Sequence, residues 1–178
     1  MYPDKYVKDL ESSQRRSRYG TRVIEAALFI SGILLLGPFI HELGHISWME
    51  FQSCMYRFSP GFSALIGFYG KVEPLCYLSR QNLAFFYASG YLSTFLAGFG
   101  LREFGLRVGE NTSFLEYLAG GMLVSILVSV TYKGDVANML GALNLSALEL
   151  PFLGLLVLGT LGTSYKFLEE AQNGRKES

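Results

Sequence analysis

Charge is scarce in this chain. Of 178 residues only 17% are Asp, Glu, Lys or Arg, against 50% hydrophobic, and the mean hydropathy is +0.28. Soluble domains average about 25% charged residues, so the balance points to a chain embedded in a bilayer. Neither sign is in excess: 15 Lys and Arg stand against 15 Asp and Glu. That leaves no basic field for nucleic acid and no acidic tail, and nucleic acid is not among the expected partners. Cysteine is nearly absent. Cys54 and Cys76 are too few for a disulfide framework and lack the C-x-x-C spacing of a structural metal site. They bracket one segment, so they either close its base in a single bridge or remain free thiols. No internal repeat or low-complexity segment is present.

Long uncharged runs are what the chain does have. A helix needs about 20 mainly apolar residues to cross a bilayer, which allows about four crossings here. The first run, Ala26 to Ile40, lies in a helix expected between Arg22 and Met49. The polar stretch before it is too long and acidic for a leader, and no cleavage site follows, so the run is expected to be a retained anchor. Gly37-Pro38 should kink it and free the Leu34 carbonyl. The second run, Asn82 to Leu101, places Ser89, Gly90, Ser93, Thr94, Ala97 and Gly98 at helical spacing, a small-residue face suited to close packing in lipid. Phe114 to Tyr132 and Leu150 to Tyr165 complete the set, with Pro151 in a first turn. Glu25 and Glu116, in outer turns, are expected to snorkel or cap. Between the first two runs, Ser59-Pro60-Gly61, Gly67, Gly70 and Pro74 break up short apolar stretches, which reads as a β-hairpin-like loop. The expected fold is an α-helical integral membrane protein of about four transmembrane helices. One embedded domain, 23–166, is flanked by polar tails at 1–22 and 167–178, in a multi-pass protein of the cell membrane with the lipid bilayer as partner.

Orientation follows from Lys and Arg. If the amino terminus is cytosolic, eleven of the fifteen fall in cytosolic segments, and only Arg57, Lys71, Arg80 and Lys133 fall on the other side. Both termini are therefore expected inside.

The only two histidines stand four apart, in His41-Glu42-Leu43-Gly44-His45. On a helix they share one face, one turn apart, where two imidazoles can grip one zinc ion at about 2.0 to 2.1 Å. Glu42 beside them can take a proton from water, so the implied chemistry is hydrolysis. A catalytic zinc needs a third protein ligand and an open position. Asp4 and Asp9 lie in the tail, which leaves Asp135, at the end of the third apolar run, as the candidate; Glu50, Glu73 and Glu149 are the reserves. His41 lies 19 residues after Arg22 and Asp135 lies 21 after Phe114, so at about 1.5 Å per residue both reach the same depth on parallel helices.

The HELGH run at a helix end, the loop Phe58-Ser59-Pro60-Gly61-Phe62 to Gly70-Lys71-Val72-Glu73-Pro74, the stretch Ala88 to Phe95, and Gly134-Asp135 to Asn138 follow one another over about residues 26 to 140. Together they resemble the site-2 protease family of intramembrane zinc proteases. The resemblance implies one zinc ion held by His41, His45 and Asp135, with Glu42 as general base. It also implies a membrane-re-entrant hairpin after the first helix that presents an extended strand of a transmembrane protein or peptide substrate. Phe58, Gly61, Phe62, Gly70 and Asn138 are the substrate-binding candidates. That family generally holds its zinc nearer the cytosolic face, whereas the charge count puts this site nearer the outer one. A different class of function, a catalytically inactive metal-binding scaffold or regulator in the membrane, is the rival expectation.

Overall fold

The computed structural model describes residues 20–63, 67–108 and 113–177; the polar stretch 1–19 lies outside the described residues. Helix α1 spans Gly20–Phe51. Strands β1 (Tyr56–Ser63) and β2 (Gly67–Pro74) follow, then α2 (Arg80–Val108), α3 (Ser113–Lys133), α4 (Asp135–Ala142), a 3-10 turn at Ser146–Leu148, and α5 (Glu149–Glu177). By length and composition α1, α2 and the Pro151–Glu169 part of α5 are able to cross a membrane, and α3 with α4 makes a fourth when counted as one span bent by 66°. The bend falls at Gly134, whose φ of 63° is left-handed. That conformation ends α3 close to its expected end at Tyr132 and restarts the chain as α4, a short helix that was not expected. At the other end α5 runs beyond Tyr165 to Glu177, and Phe167 is 2% exposed in the core rather than in a tail. Lys166, Leu168, Glu169, Glu170 and Ala171 are good helix formers, and nothing after Tyr165 interrupts them before Gly174.

Pro38 shapes α1. Without an N–H, and with its ring set against the carbonyl four residues back, it disfavours a regular turn. The chain answers with a π-helical turn over Gly32–Leu36, in which the Gly37 N–H donates to the Gly32 carbonyl. The Leu34 carbonyl, expected to be freed, lies against Gly67 of β2, where φ is +73° and a Cβ would collide with it. The hairpin is thereby seated on α1. Its strands pair antiparallel from Tyr56↔Pro74 to Ser63↔Gly67, and a Cys54–Cys76 disulfide closes its base.

Small residues let α1 sit between α3 and α2. Gly32 meets the Leu118 and Met122 backbone, Gly37 meets Ser125, and Gly44 meets Ser89 and Gly90, a mode of packing that suits helices in lipid. On the far side of α3, the Ser164 hydroxyl of α5 donates to the Gly120 carbonyl at 3.3 Å. One apolar core, including Tyr91, Leu123, Ile126, Val136, Leu140 and Phe167, joins α2, α3, α4 and α5. A second, of Met49, Cys54, Val72 and Phe86, ties the hairpin to α1 and α2.

Beside these apolar cores, several ionisable side chains lie inside while large apolar ones lie on the surface. Glu25, His41, Glu42, His45, Glu116 and Asp135 are buried, while Leu35, Phe39, Leu92, Leu96, Leu155 and Leu158 are exposed. Glu25 and Glu116, expected to snorkel or cap, are each 7% exposed, so neither reaches out from the bundle, and Glu116 lies in the first turn of α3.

Candidate metal centre

The two histidines lie on the buried face of α1, one turn apart, at 1% and 4% exposure. Asp135 opens α4 directly after the left-handed Gly134. That break turns the chain back toward α1 at the depth of the histidines. His41 Nε2 lies 3.0 Å from Asp135 Oδ2 and 3.1 Å from His45 Nε2, and His45 Nε2 lies 3.4 Å from Asp135 Oδ2. Three donors held at 2.0 to 2.1 Å around a tetrahedral ion stand about 3.3 Å apart, which is the spacing found.

Hydrogen bonding sets the direction of the lone pairs. His45 Nδ1 is 2.7 Å from the Phe86 carbonyl, which can only accept, so Nδ1 carries the hydrogen and the neutral ring turns the lone pair of Nε2 toward Asp135 and His41. The carboxylate oxygen also offers only lone pairs. A proton on His41 Nε2 can serve one of its two neighbours well, whereas a cation serves all three atoms at once. His41, His45 and Asp135 form a group that can hold a metal ion. The rings are held by their surroundings: Tyr91 packs edge-on to His41 at 4.8 Å and Phe86 lies 4.6 Å from His45. A Cβ at Gly90 would come within 2.6 Å of His41 Nε2 and 2.8 Å of His45 Nε2, so α2 crosses the site where only glycine fits.

Glu42 is 2% exposed and, with His45 and Asp135, lines a cavity of about 480 Å³. The opposite wall is the whole run Tyr69 to Pro74 of β2, and Tyr87 and Asn138 close the sides. Among the described residues the sheet has two strands, so β2 pairs with β1 along one edge and has no strand on the other. Backbone at Gly70 presses on the glutamate: a Cβ there would lie 2.8 Å from Glu42 Cγ.

The remaining candidates divide. Gly70 and Asn138 line the cavity; Phe58, Gly61 and Phe62 do not. Along β1 burial alternates through Ser59 and changes phase after Pro60. Phe58 packs against the Met49–Phe86 cluster, Gly61 lies under the Tyr69 ring, and Phe62, on the same face of the ribbon as Phe58, is 66% exposed. Of the reserve ligands, Glu73 lines the cavity away from the three donors, beside Lys71, whose ammonium lowers the Glu73 carboxyl pKa. The Phe86 carbonyl, Gly44 and Gly90 were not anticipated as supports of the site. A backbone acceptor leaves no trace in the residue type, while the two glycines were visible as small residues without an assigned partner.

Comparison with protein-family models, curated proteins and solved structures finds no match to this chain. The site therefore rests on its own geometry.

Proposed function

We propose that this protein is an intramembrane zinc metalloendopeptidase of the cell membrane, related in mechanism to the site-2 proteases it resembles. The observation that carries the reading is the convergence of His41, His45 and Asp135 within 3.4 Å of one another, with the Glu42 carboxylate on the wall of the same cavity. Membrane residence is supported by the large apolar side chains on the exterior and the ionisable groups held inside the bundle, an arrangement that lipid favours and water does not.

His41, His45 and Asp135 would hold the ion. Such an ion acidifies water toward neutral pH and polarises a scissile carbonyl. Glu42 takes a proton from the attacking water and delivers it to the leaving amine, the work of a general base and then a general acid. The free edge of β2, from Tyr69 to Pro74, aligns the substrate by adding it as a third strand. A helical substrate must unwind first, because its carbonyls are otherwise engaged, so substrates with helix-breaking residues near the cut are expected.

The test is Glu42→Gln in the full chain, assayed against a single-span reporter with a helix-breaking centre. Zinc stays near one ion per chain and cleavage falls by about 100- to 10,000-fold. Undiminished cleavage removes Glu42 from the role, and with it this mechanism.

A further inference from the structure

We propose that the metal centre opens toward the oxidising, non-cytosolic side of the membrane, and that its substrates are extracytoplasmic juxtamembrane segments of other membrane proteins. The substrate class rests on the protease reading above; the orientation does not.

The bundle has two chemically different ends. At one lie the carboxyl-terminal turns of α1, the hairpin, the start of α2 and the α3–α4 break, and here the metal centre sits. His45 is six residues before Phe51, about 9 Å along the helix, and Cys54 follows three residues later. Cys54 and Cys76 are bonded, with Cα atoms 5.7 Å apart, inside the range that a disulfide spans without backbone movement. Such bonds persist outside the reducing cytosol. The bond belongs to the site's support: Cys54 packs in one cluster with Met49, Val72 and Phe86. Val72 lies in the cavity wall and Phe86 carries the carbonyl that orients His45.

At the other end the Arg102 guanidinium lies 5.0 Å over the Phe167 ring, which brings the last turns of α2 and α5 together. Arg107, Lys166, Arg175 and Lys176 follow on these two helices, and Arg22 lies in the first turn of α1. Among the described residues this end has six Lys and Arg against four (Arg57, Lys71, Arg80 and Lys133) at the other, and the stretch 1–19 that precedes α1 in sequence adds five more. Basic residues accumulate on the cytosolic side of membrane proteins. The disulfide and the charge bias are independent of one another, and they assign the same end to the outside. A peptide reaching the free edge of β2 therefore comes from the extracytoplasmic side.

Labelling the two native cysteines tests this in intact cells that express the full chain, using a membrane-impermeant maleimide before and after an impermeant phosphine reductant. The expected result is no labelling before reduction and two maleimides per chain after it. A single thiol introduced by Ser178→Cys, in a Cys54→Ser and Cys76→Ser background, should label only once the cells are permeabilised. Native thiols that react without reductant, native thiols reached only after permeabilisation, or a tail thiol that reacts in intact cells would each overturn the orientation. The readout does not require cleavage. A chain that labels as expected but cleaves no reporter keeps the orientation and loses the protease reading, and the converse pattern removes the orientation alone.

Discussion

Glycines on α1 and α2 and glycines on α5 do different work. At Gly32, Gly37, Gly44 and Gly90 a Cβ would meet neighbouring atoms at under 3.0 Å, whereas at Gly154, Gly159 and Gly162 of α5 nothing lies within 4 Å. The first group sets the distance between helices: Gly44 meets Gly90 where α1 crosses α2, directly at the paired imidazoles. The second group faces open space and sets nothing. The donor atoms of the metal centre come from α1 and α4, α2 clamps them, and α5 supplies cover for α3. The half that carries the chemistry is held by contacts that admit one residue type, whereas α5 is held by apolar side chains such as Phe167 and by the Ser164–Gly120 hydrogen bond.

That contrast is open to test. The largest effect is expected from Asp135→Ala, which removes one of three donors: the purified protein should lose its zinc on dialysis and cleavage should fall to background. Chelation of the unmutated protein should do the same, and added zinc should restore activity to the unmutated protein alone. A full complement of metal in Asp135→Ala would show that another group completes the site. Next is Gly90→Ala, whose methyl group displaces both rings; zinc affinity measured by competition should drop about 10- to 100-fold. Gly44→Ala lies on the same crossing but touches Ser89 and Ser93 instead of the rings. It should cost about 1 to 3 kcal/mol of stability by overpacking, read as a lower Tm, with a smaller change in metal affinity than Gly90→Ala. The smallest effect belongs to Gly159→Ala on α5, within about 0.5 kcal/mol and without change in metal content. If Gly159→Ala proved as damaging as Gly90→Ala, the division between the two halves would fail.

The ligand residues could be read before the fold because histidine is so rare here. Two imidazoles at one-turn spacing, in a chain with no others, name themselves, and Asp135 followed from the scarcity of aspartate and from counting depth along two parallel helices. The four apolar runs were equally plain, since lipid leaves few alternatives to an uncharged helix. What stayed hidden depends on backbone conformation or on atoms without side-chain identity. The left-handed turn at Gly134 starts α4, a helix beyond the expected end of the third run at Tyr132, yet a glycine before an aspartate is compatible with a helix start or a loop. The Phe86 carbonyl is available at every residue type. Phe58 and Phe62 share one face of an unbroken ribbon, but that face is covered at Phe58 and open at Phe62, a difference that alternation in the strand cannot reveal. The cysteine pair was left open because spacing alone does not choose between a bond and two thiols.

The π turn at Gly32–Leu36 makes residue number, more than residue identity, the sensitive quantity in α1. Gly32 and Gly37, five apart, would point about 140° away from each other on a regular helix, but the wider turn lets both face α3. That turn holds one residue more than a regular one, so a deletion within it restores ordinary pitch, whereas deleting Phe39 or Ile40 would swing everything beyond by about 100° and carry Glu42 and His45 off the cavity. Substitutions among Ile33, Leu34 and Leu35 should therefore be tolerated far better than loss of a residue between Gly37 and His41.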